Sequence, residues 1–153
     1  MLGSLTKTQI DHVLHSQVLG RIGCYADGKV FIVPITYVFD GEYIYAHSKE
    51  GMKINMMRKN RKVCFEVDVV ENMANWRSVV LWGEYEELDG VLSQEKGLKI
   101  IMEKLVPLIA SQTLRYEDQS MRPQVVEKQL KSIVYRIKIE EQTGRYEKQE
   151  KNC

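Results

Sequence analysis

Strand-like alternation of apolar and polar positions runs through most of this chain, and helical spacing interrupts it only at a few connections. Ile22, Cys24 and their neighbours form a strand that turns at Asp27-Gly28, a dipeptide suited to tight hairpins. Val30 to Phe39 is β-branched and aromatic throughout and predicts one long strand. Asp40-Gly41 supplies a second tight turn, and Tyr43 to His47 returns. Two Asp-Gly turns joining three strands predict an antiparallel meander. Val63 to Val69 is a fourth strand. Trp76 to Glu87 is a fifth, with Arg77, Val79 and Leu81 on one side and Ser78, Val80 and Trp82 on the other. Ile133 to Ile139 alternates cleanly and makes a sixth.

Helical spacing falls at the connections. Thr6 to His15 has Thr6 as N-cap and Gln9 three residues on, the capping-box spacing. Gly51 to Asn60 carries Met52 and Met56 on one face. Gln94 to Ile109 is amphipathic through Leu98, Ile101, Met102, Leu105 and Leu108. Pro123 suits the first position of a short helix over PQVVEKQL. Ser111 to Pro123 is polar and is read as a surface loop rather than a lid, and GRYEKQEKNC as a frayed tail. Six mostly antiparallel strands with helices at their connections imply an α+β, mainly β fold, a small β-barrel. Val30 to Phe39 and Trp76 to Trp82 are apolar on both faces, and a barrel has one inside. The outer face must therefore pack on helices or on another subunit, and a symmetric dimer is expected.

Composition narrows the classes. The 153 residues make one domain, 1–153, with 44% hydrophobic and 28% charged residues. Lys+Arg 22 against Asp+Glu 21 gives no global electrostatic case for nucleic acid or a membrane surface. No apolar run approaches the roughly 18 residues of a membrane span. No signal peptide is apparent at the start. Cys24, Cys64 and Cys153 form no CxxC or Cys/His metal pattern. Cys24 and Cys64 lie in apolar, strand-like surroundings and are expected as buried free thiols, which fits a reducing cytoplasm. His12 and His15 lack a third ligand, and no HExxH, GxSxG, P-loop or GxGxxG motif is present.

The chemistry concentrates in YAHSKEGMKINMMRKNRKVCFEVD, a strand, a short basic helix and a strand. Ser48 is a plausible N-cap for that helix, and His47, Ser48, Lys49 and Lys53 gather near its open end. Such a set suits a phosphate, the alternative being a solvated basic helix. Pro34 interrupts FIVPITYVF and belongs at a sheet edge or bulge, leaving local backbone groups free. Ser78 is a polar intrusion in an apolar strand, either a ligand or a satisfied core hydroxyl.

The run GRIGCYADGKVFIVPITYVFDGEYIYAHSKEGMKINMMRKNRKVCFEVD, continued by WRSVVLWGEYEEL and VYRIKIEEQTGRYEK, resembles the pyridoxamine 5′-phosphate oxidase-like, FMN-binding split-barrel superfamily. It is most similar to the nitroimidazole-resistance branch, over roughly residues 18–148. The resemblance implies an FMN phosphate held by His47, Ser48 and Lys53, with the isoalloxazine against Val33, Pro34, Ile35 and Thr36. It implies that Ser78 and Val79 approach the flavin or its phosphate, and that sites form at a homodimer interface. His47 aligns with the histidine associated with the active site of the nitroimidazole branch. Pyridoxamine phosphate oxidases carry an Arg-Lys pair after the serine, an R-Q-V-R run and a basic C-terminal motif. Here the first two read Ser48-Lys49-Glu50 and Trp76-Arg77-Ser78-Val79, and the third is missing, so that substrate is not expected. The expected function is an FMN-dependent oxidoreductase acting on a small electron-poor or nitroaromatic substrate. The alternatives are a flavin carrier or sensor without turnover, or a split barrel holding haem or another cofactor, with His47 as the axial-ligand candidate.

Overall fold

The computed structural model describes residues 1–110 and 132–150. In chain order these form β1 (Leu2–Ser4), α1 (Lys7–Ser16), β2 (Leu19–Ala26), β3 (Lys29–Thr36), β4 (Val38–Phe39) and β5 (Tyr43–Ser48). There follow α2 (Met52–Lys59), β6 (Lys62–Asn72), β7 (Asn75–Glu87), α3 (Val91–Ala110) and β8 (Ile133–Glu147). The strands form one 8-stranded sheet in the order β3-β2-β6-β7-β8-β5-β4, with β1 added on β8. Every pairing is antiparallel.

The count exceeds the expected six for two reasons. β1 pairs with β8 through Leu2↔Glu147 and its neighbours, too short a stretch to carry a period. The expected strand from Val30 to Phe39 breaks at Tyr37, whose hydrogen bonds leave the sheet. Its backbone N–H donates to Val18 O at 3.0 Å and its Oη donates to Leu14 O at 2.7 Å. β3 and β4 are thus the two ends of the hydrogen-bonded path, yet only Tyr37 separates them in sequence. The sheet closes through the chain itself, and a barrel results.

The break opens a split. Val38 faces Tyr45 and Phe39 faces Ile44. Carried on, that register would set Thr36 against His47 and Ile35 against Ser48. Instead β3 runs along β2, from Leu19↔Thr36 to Ala26↔Lys29, and among the described residues β2 is its only strand partner. Pro34 therefore sits on an edge strand, where a residue without an N–H is tolerated.

Turn chemistry sets the hairpins. Asp27 and Gly28 both take positive φ, 51° and 76°, the I′ pattern expected of Asp-Gly. At the second turn Asp40 N–H donates to Tyr43 O, so the central pair is Gly41-Glu42, with Gly41 at φ 105° in the II′ position. Asp40 Oδ1 accepts from the backbone of Glu42 and Tyr43. The expected capping box on α1 is present: Gln9 N–H donates to Thr6 Oγ1, and Thr6 N–H donates to Gln9 Oε1.

The helices close the barrel and cover one flank. α1 inserts Ile10, Val13 and Leu14, and α2 inserts Ile54, Met56 and Met57, into a core shared with Ile22, Phe65, Leu81 and Ile137. α3 lies outside, packing Leu98 and Ile101 on Val38, Tyr45 and Val134. Among the described residues no helix covers the flank where Tyr25, Val30, Ile32 and Trp82 are exposed beside a groove of about 500 Å³. Cys24 is buried as expected, whereas Cys64 faces this flank and is half-buried, because strand alternation places it opposite to Val63 and Phe65. Gly144 to Glu147 belong to β8 rather than to a frayed tail, held by β7 on one side and β1 on the other. The short helix expected over PQVVEKQL from Pro123 and the whole polar segment Ser111 to Pro123 lie outside the described residues. No helix among the described residues is long and apolar enough to cross a membrane.

Candidate functional site

The split between β3 and β5 ends at the mouth that α2 covers. β5 brings His47 and Ser48 there, paired with Val134 and Ile133 of β8. α2 brings Lys53 in its first turn. The helix falls within the expected Gly51 to Asn60, but its cap is not the expected Ser48. Ser48 remains in the strand and its Oγ donates to Lys49 O at 3.1 Å, while Gly51 takes the N-cap place with no side-chain cap. Two residues thus separate Ser48 from the cap, and among the described residues no side chain caps the first turn of α2.

Lys53 and His47 are both half-buried, and among the described residues neither side chain has a hydrogen bond or ion pair. Burial pulls the Lys53 ammonium below its ordinary value, a nearby Cys24 thiolate opposing that shift. Burial, then the charge of Lys53, pulls His47 below its ordinary value of 6.5. Burial pushes the Cys24 thiol up, against the influence of Lys53. In the core nearby, Tyr135 Oη is enclosed with no hydrogen-bond partner among the described residues, and burial pushes its phenol up, with Cys24 and Tyr85 adding to the effect. A half-desolvated ammonium beside an imidazole that can take up a proton, neither with a counter-ion among the described residues, is a poor structural device and a good receptor for a dianion.

The signs follow from burial. Above pH 6.5 His47 is neutral in both folded and unfolded chains and costs nothing. As pH falls from 6.5 towards its lower folded value, the unfolded chain binds a proton that the folded chain resists, and stability is lost. The Lys53 penalty is fully present across neutral pH. A bound dianion offsets both. Sulfate, dianionic throughout, is therefore expected to raise the melting temperature more at pH 6 than at pH 8 in wild type. In His47→Asn the two increments should be equal; a persisting difference would remove His47 from the site.

The remaining expected residues divide. Val33, Pro34, Ile35 and Thr36 line the β3 side of the split, with Ile35 buried and Pro34 and Thr36 exposed. Ser78 and Val79 do not join this group within one protomer. His47 pairs with Val134 and Ser78 with Arg145, towards opposite ends of β8. Val79 is fully buried, and Ser78 Oγ donates to Glu66 Oε1 at 3.1 Å on the uncovered flank, beside the Arg21–Glu66 ion pair at 3.4 Å. His15, weighed only as a metal ligand, stacks on Phe39 with ring centroids 4.7 Å apart. Sequence spacing missed Cys24, which comes from β2 and lies near Lys53, and Tyr135 of β8, which pairs with Ala46 of β5 next to His47.

The family model for pyridoxamine 5′-phosphate oxidase matches residues 6–146. Among solved structures, a FAD-binding protein from Mesorhizobium loti superposes with a TM-score of 0.75 at 27% identity, over 95% of this chain and 98% of that one. A candidate 5-nitroimidazole antibiotic resistance protein from Bacteroides thetaiotaomicron gives 0.70 at 19% identity, over 95% and 87% of the two chains. A FAD- and haem-binding protein from Mycobacterium smegmatis gives 0.73 at 14%, over 99% and 76%. The last two are likenesses of fold. An uncharacterized protein of Rhizobium meliloti is 36% identical over 84 residues, covering 55% of this chain and 56% of that relative's length. With the family match spanning nearly the whole barrel, the chain belongs to the pyridoxamine 5′-phosphate oxidase family of split barrels.

Proposed function

We propose that the chain is an FMN-binding flavoprotein and an oxidoreductase for small electron-poor, nitroaromatic-type substrates. The observation that carries this is the half-buried Lys53 ammonium beside the half-buried His47 imidazole, neither with a counter-ion among the described residues, at the end of a strand edge. FMN ends in a phosphate monoester that is close to dianionic at neutral pH, matching two cations in charge. Lys53 and the uncapped first turn of α2 hold its oxygens, with Ser48 Oγ as a further donor. Val33 to Thr36 present an edge-strand backbone and apolar side chains to the ring system.

Once bound, the flavin supplies hydride and single-electron exchange. The chain's own work is to bind, orient and shield. His47, neutral in the empty site, accepts a proton at its imidazole as the phosphate arrives and becomes a second donor to it. Apolar strand faces exclude water from one side of the ring and leave the other for substrate.

The uncovered flank completes the proposal. A second copy of the chain would cover Tyr25, Val30, Ile32 and Trp82, with the Arg21 and Glu66 charges at the rim. In such a homodimer Ser78 reaches a flavin only from the neighbouring protomer. The near balance of Lys+Arg 22 and Asp+Glu 21 gives no electrostatic case for nucleic acid, and the partner envisaged is this chain itself.

A second reading is favoured by the FAD-binding description of the Mesorhizobium protein: the same cations would take the diphosphate of FAD. The purified protein distinguishes these. Absorption bands near about 370 and 450 nm are expected for a flavin, and chromatography of the cofactor released by heat identifies FMN or FAD. An intense Soret band would instead place His47 on haem, and a colourless protein that does not take up FMN would refute the proposal. Oxidation of NADH or NADPH, with and without a nitroimidazole, separates an enzyme from a carrier or sensor.

A further inference from the structure

Glu50 immediately precedes the uncapped N-terminus of α2, where helix electrostatics favour a carboxylate, and it stands three residues from Lys53. Left to those preferences, it would occupy the place proposed for phosphate. The structure turns it the other way. Arg58, in the last turn of α2, donates from Nη1 to Glu50 Oε2 and from Nη2 to Glu50 Oε1, each at 3.0 Å. The same guanidinium donates from Nε to Glu87 Oε2 at 2.9 Å and from Nη2 to Glu87 Oε1 at 2.6 Å. Tyr85 Oη donates to Glu87 Oε2 at 3.1 Å, fixing the carboxylate from behind. Only a planar guanidinium offers forks to two carboxylates at once.

We infer that Arg58 is a positioning residue for the anion site: by holding Glu50 back along α2, it keeps an internal carboxylate away from Lys53 and the helix N-terminus. The inference rests on the phosphate reading given above. Glu87 is the anchor of the arrangement. It belongs to β7, part of the sheet, so Glu50 is tied through Arg58 to the barrel wall rather than to a free helix. The contacts raise the guanidinium's affinity for its proton, through Glu87 first and Glu50 second, and Arg58 in turn holds the Glu87 carboxyl below its usual range. Lys49, the other charged residue of the β5–α2 connection, is exposed and takes no part.

A purely structural brace between α2 and β7 would use the same contacts, and a double substitution separates the two roles. FMN affinity is read by quenching of flavin fluorescence, alongside melting temperature. Arg58→Ala should weaken FMN binding on the order of tenfold, as expected for a like charge released within about 8 Å of a phosphate in a medium of intermediate dielectric. Glu50→Gln alone should leave affinity unchanged or slightly tighter. The double variant Arg58→Ala/Glu50→Gln should return to within about twofold of wild type, although its α2–β7 brace is gone. The inference is overturned if Arg58→Ala binds FMN like wild type, or if the double variant is as weak as Arg58→Ala. Arg58→Gln, which cannot fork to both carboxylates, serves the same comparison if the alanine variant does not fold. A wild-type protein that does not bind FMN would overturn the phosphate reading itself, and this inference with it.

Discussion

Lys53→Ala is expected to weaken FMN binding roughly ten- to a hundredfold, the loss of one charge-assisted hydrogen bond of about 1.5–3 kcal/mol, with no fall in the melting temperature of the ligand-free protein. The two halves of that expectation have one cause. Lys53 is half-buried with no ion pair among the described residues, so the empty fold carries its desolvation cost without a return. Removing the ammonium relieves that cost and removes the strongest donor to the phosphate. A side chain kept for packing or for an internal salt bridge would behave in the opposite way. Fluorescence titration and thermal melts on the same preparation check both. Unchanged FMN affinity would refute the assignment, and a large drop in melting temperature would make Lys53 a structural residue.

Phe65→Ala should destabilise the fold by about 3–5 kcal/mol, the usual cost of emptying a buried aromatic site. Phe65 is 1% exposed, and its ring meets that of Tyr37 edge-on at a centroid distance of 5.0 Å. Tyr37 is the junction at which β3 leaves β4, so this contact holds the split in place as well as filling the core. Gly20 is fitted to the same ring. A Cβ there would lie 2.3 Å from the tip of Phe65, and the ring cannot retreat into a packed interior. Urea denaturation measures the loss, with an unchanged slope marking a stability effect alone. A loss below about 1 kcal/mol would mean that the barrel closes over the cavity.

Much of the barrel was legible because its determinants are local. The turn at Asp27-Gly28, the alternation along Trp76 to Glu87 and the Thr6–Gln9 box each depend on residues within a few positions. What the sequence hid was decided by distant partners. Nothing in FIVPITYVF announces that Tyr37 will leave the ladder, because its acceptor is Leu14 O and its aromatic neighbour is Phe65. The N-cap of α2 differs from the expected Ser48 for a similar reason, although the helix itself falls within the expected Gly51 to Asn60. Ser48 has the right side chain for an N-cap, but pairing with Ile133 of β8 keeps it in the strand.

The site was half legible. His47 and Lys53 stand six positions apart, and the strand-to-helix pattern brought them together on paper as it does in the fold. Cys24 joins them from β2, a strand that meets this mouth when the sheet curls round, and Tyr135 from β8, a direct neighbour of β5. Ser78 and Val79 show the limit of carrying motif positions across: within one protomer they lie away from Lys53, with Val79 sealed in the core and Ser78 held by Glu66. Whether Ser78 touches a cofactor turns on a second copy of the chain, whose presence sedimentation or light scattering would establish.

The most direct measurement is a paired titration of the ligand-free protein with FMN and with riboflavin, which share the ring system and differ in the phosphate. Two cations engaging one phosphate predict that FMN binds about a hundredfold or more tighter than riboflavin, at roughly 1.5–3 kcal/mol per charge-assisted bond. The gap should narrow in Lys53→Ala. Equal affinities for the two flavins, or no binding of either, would contradict a phosphate grip built from Lys53 and His47.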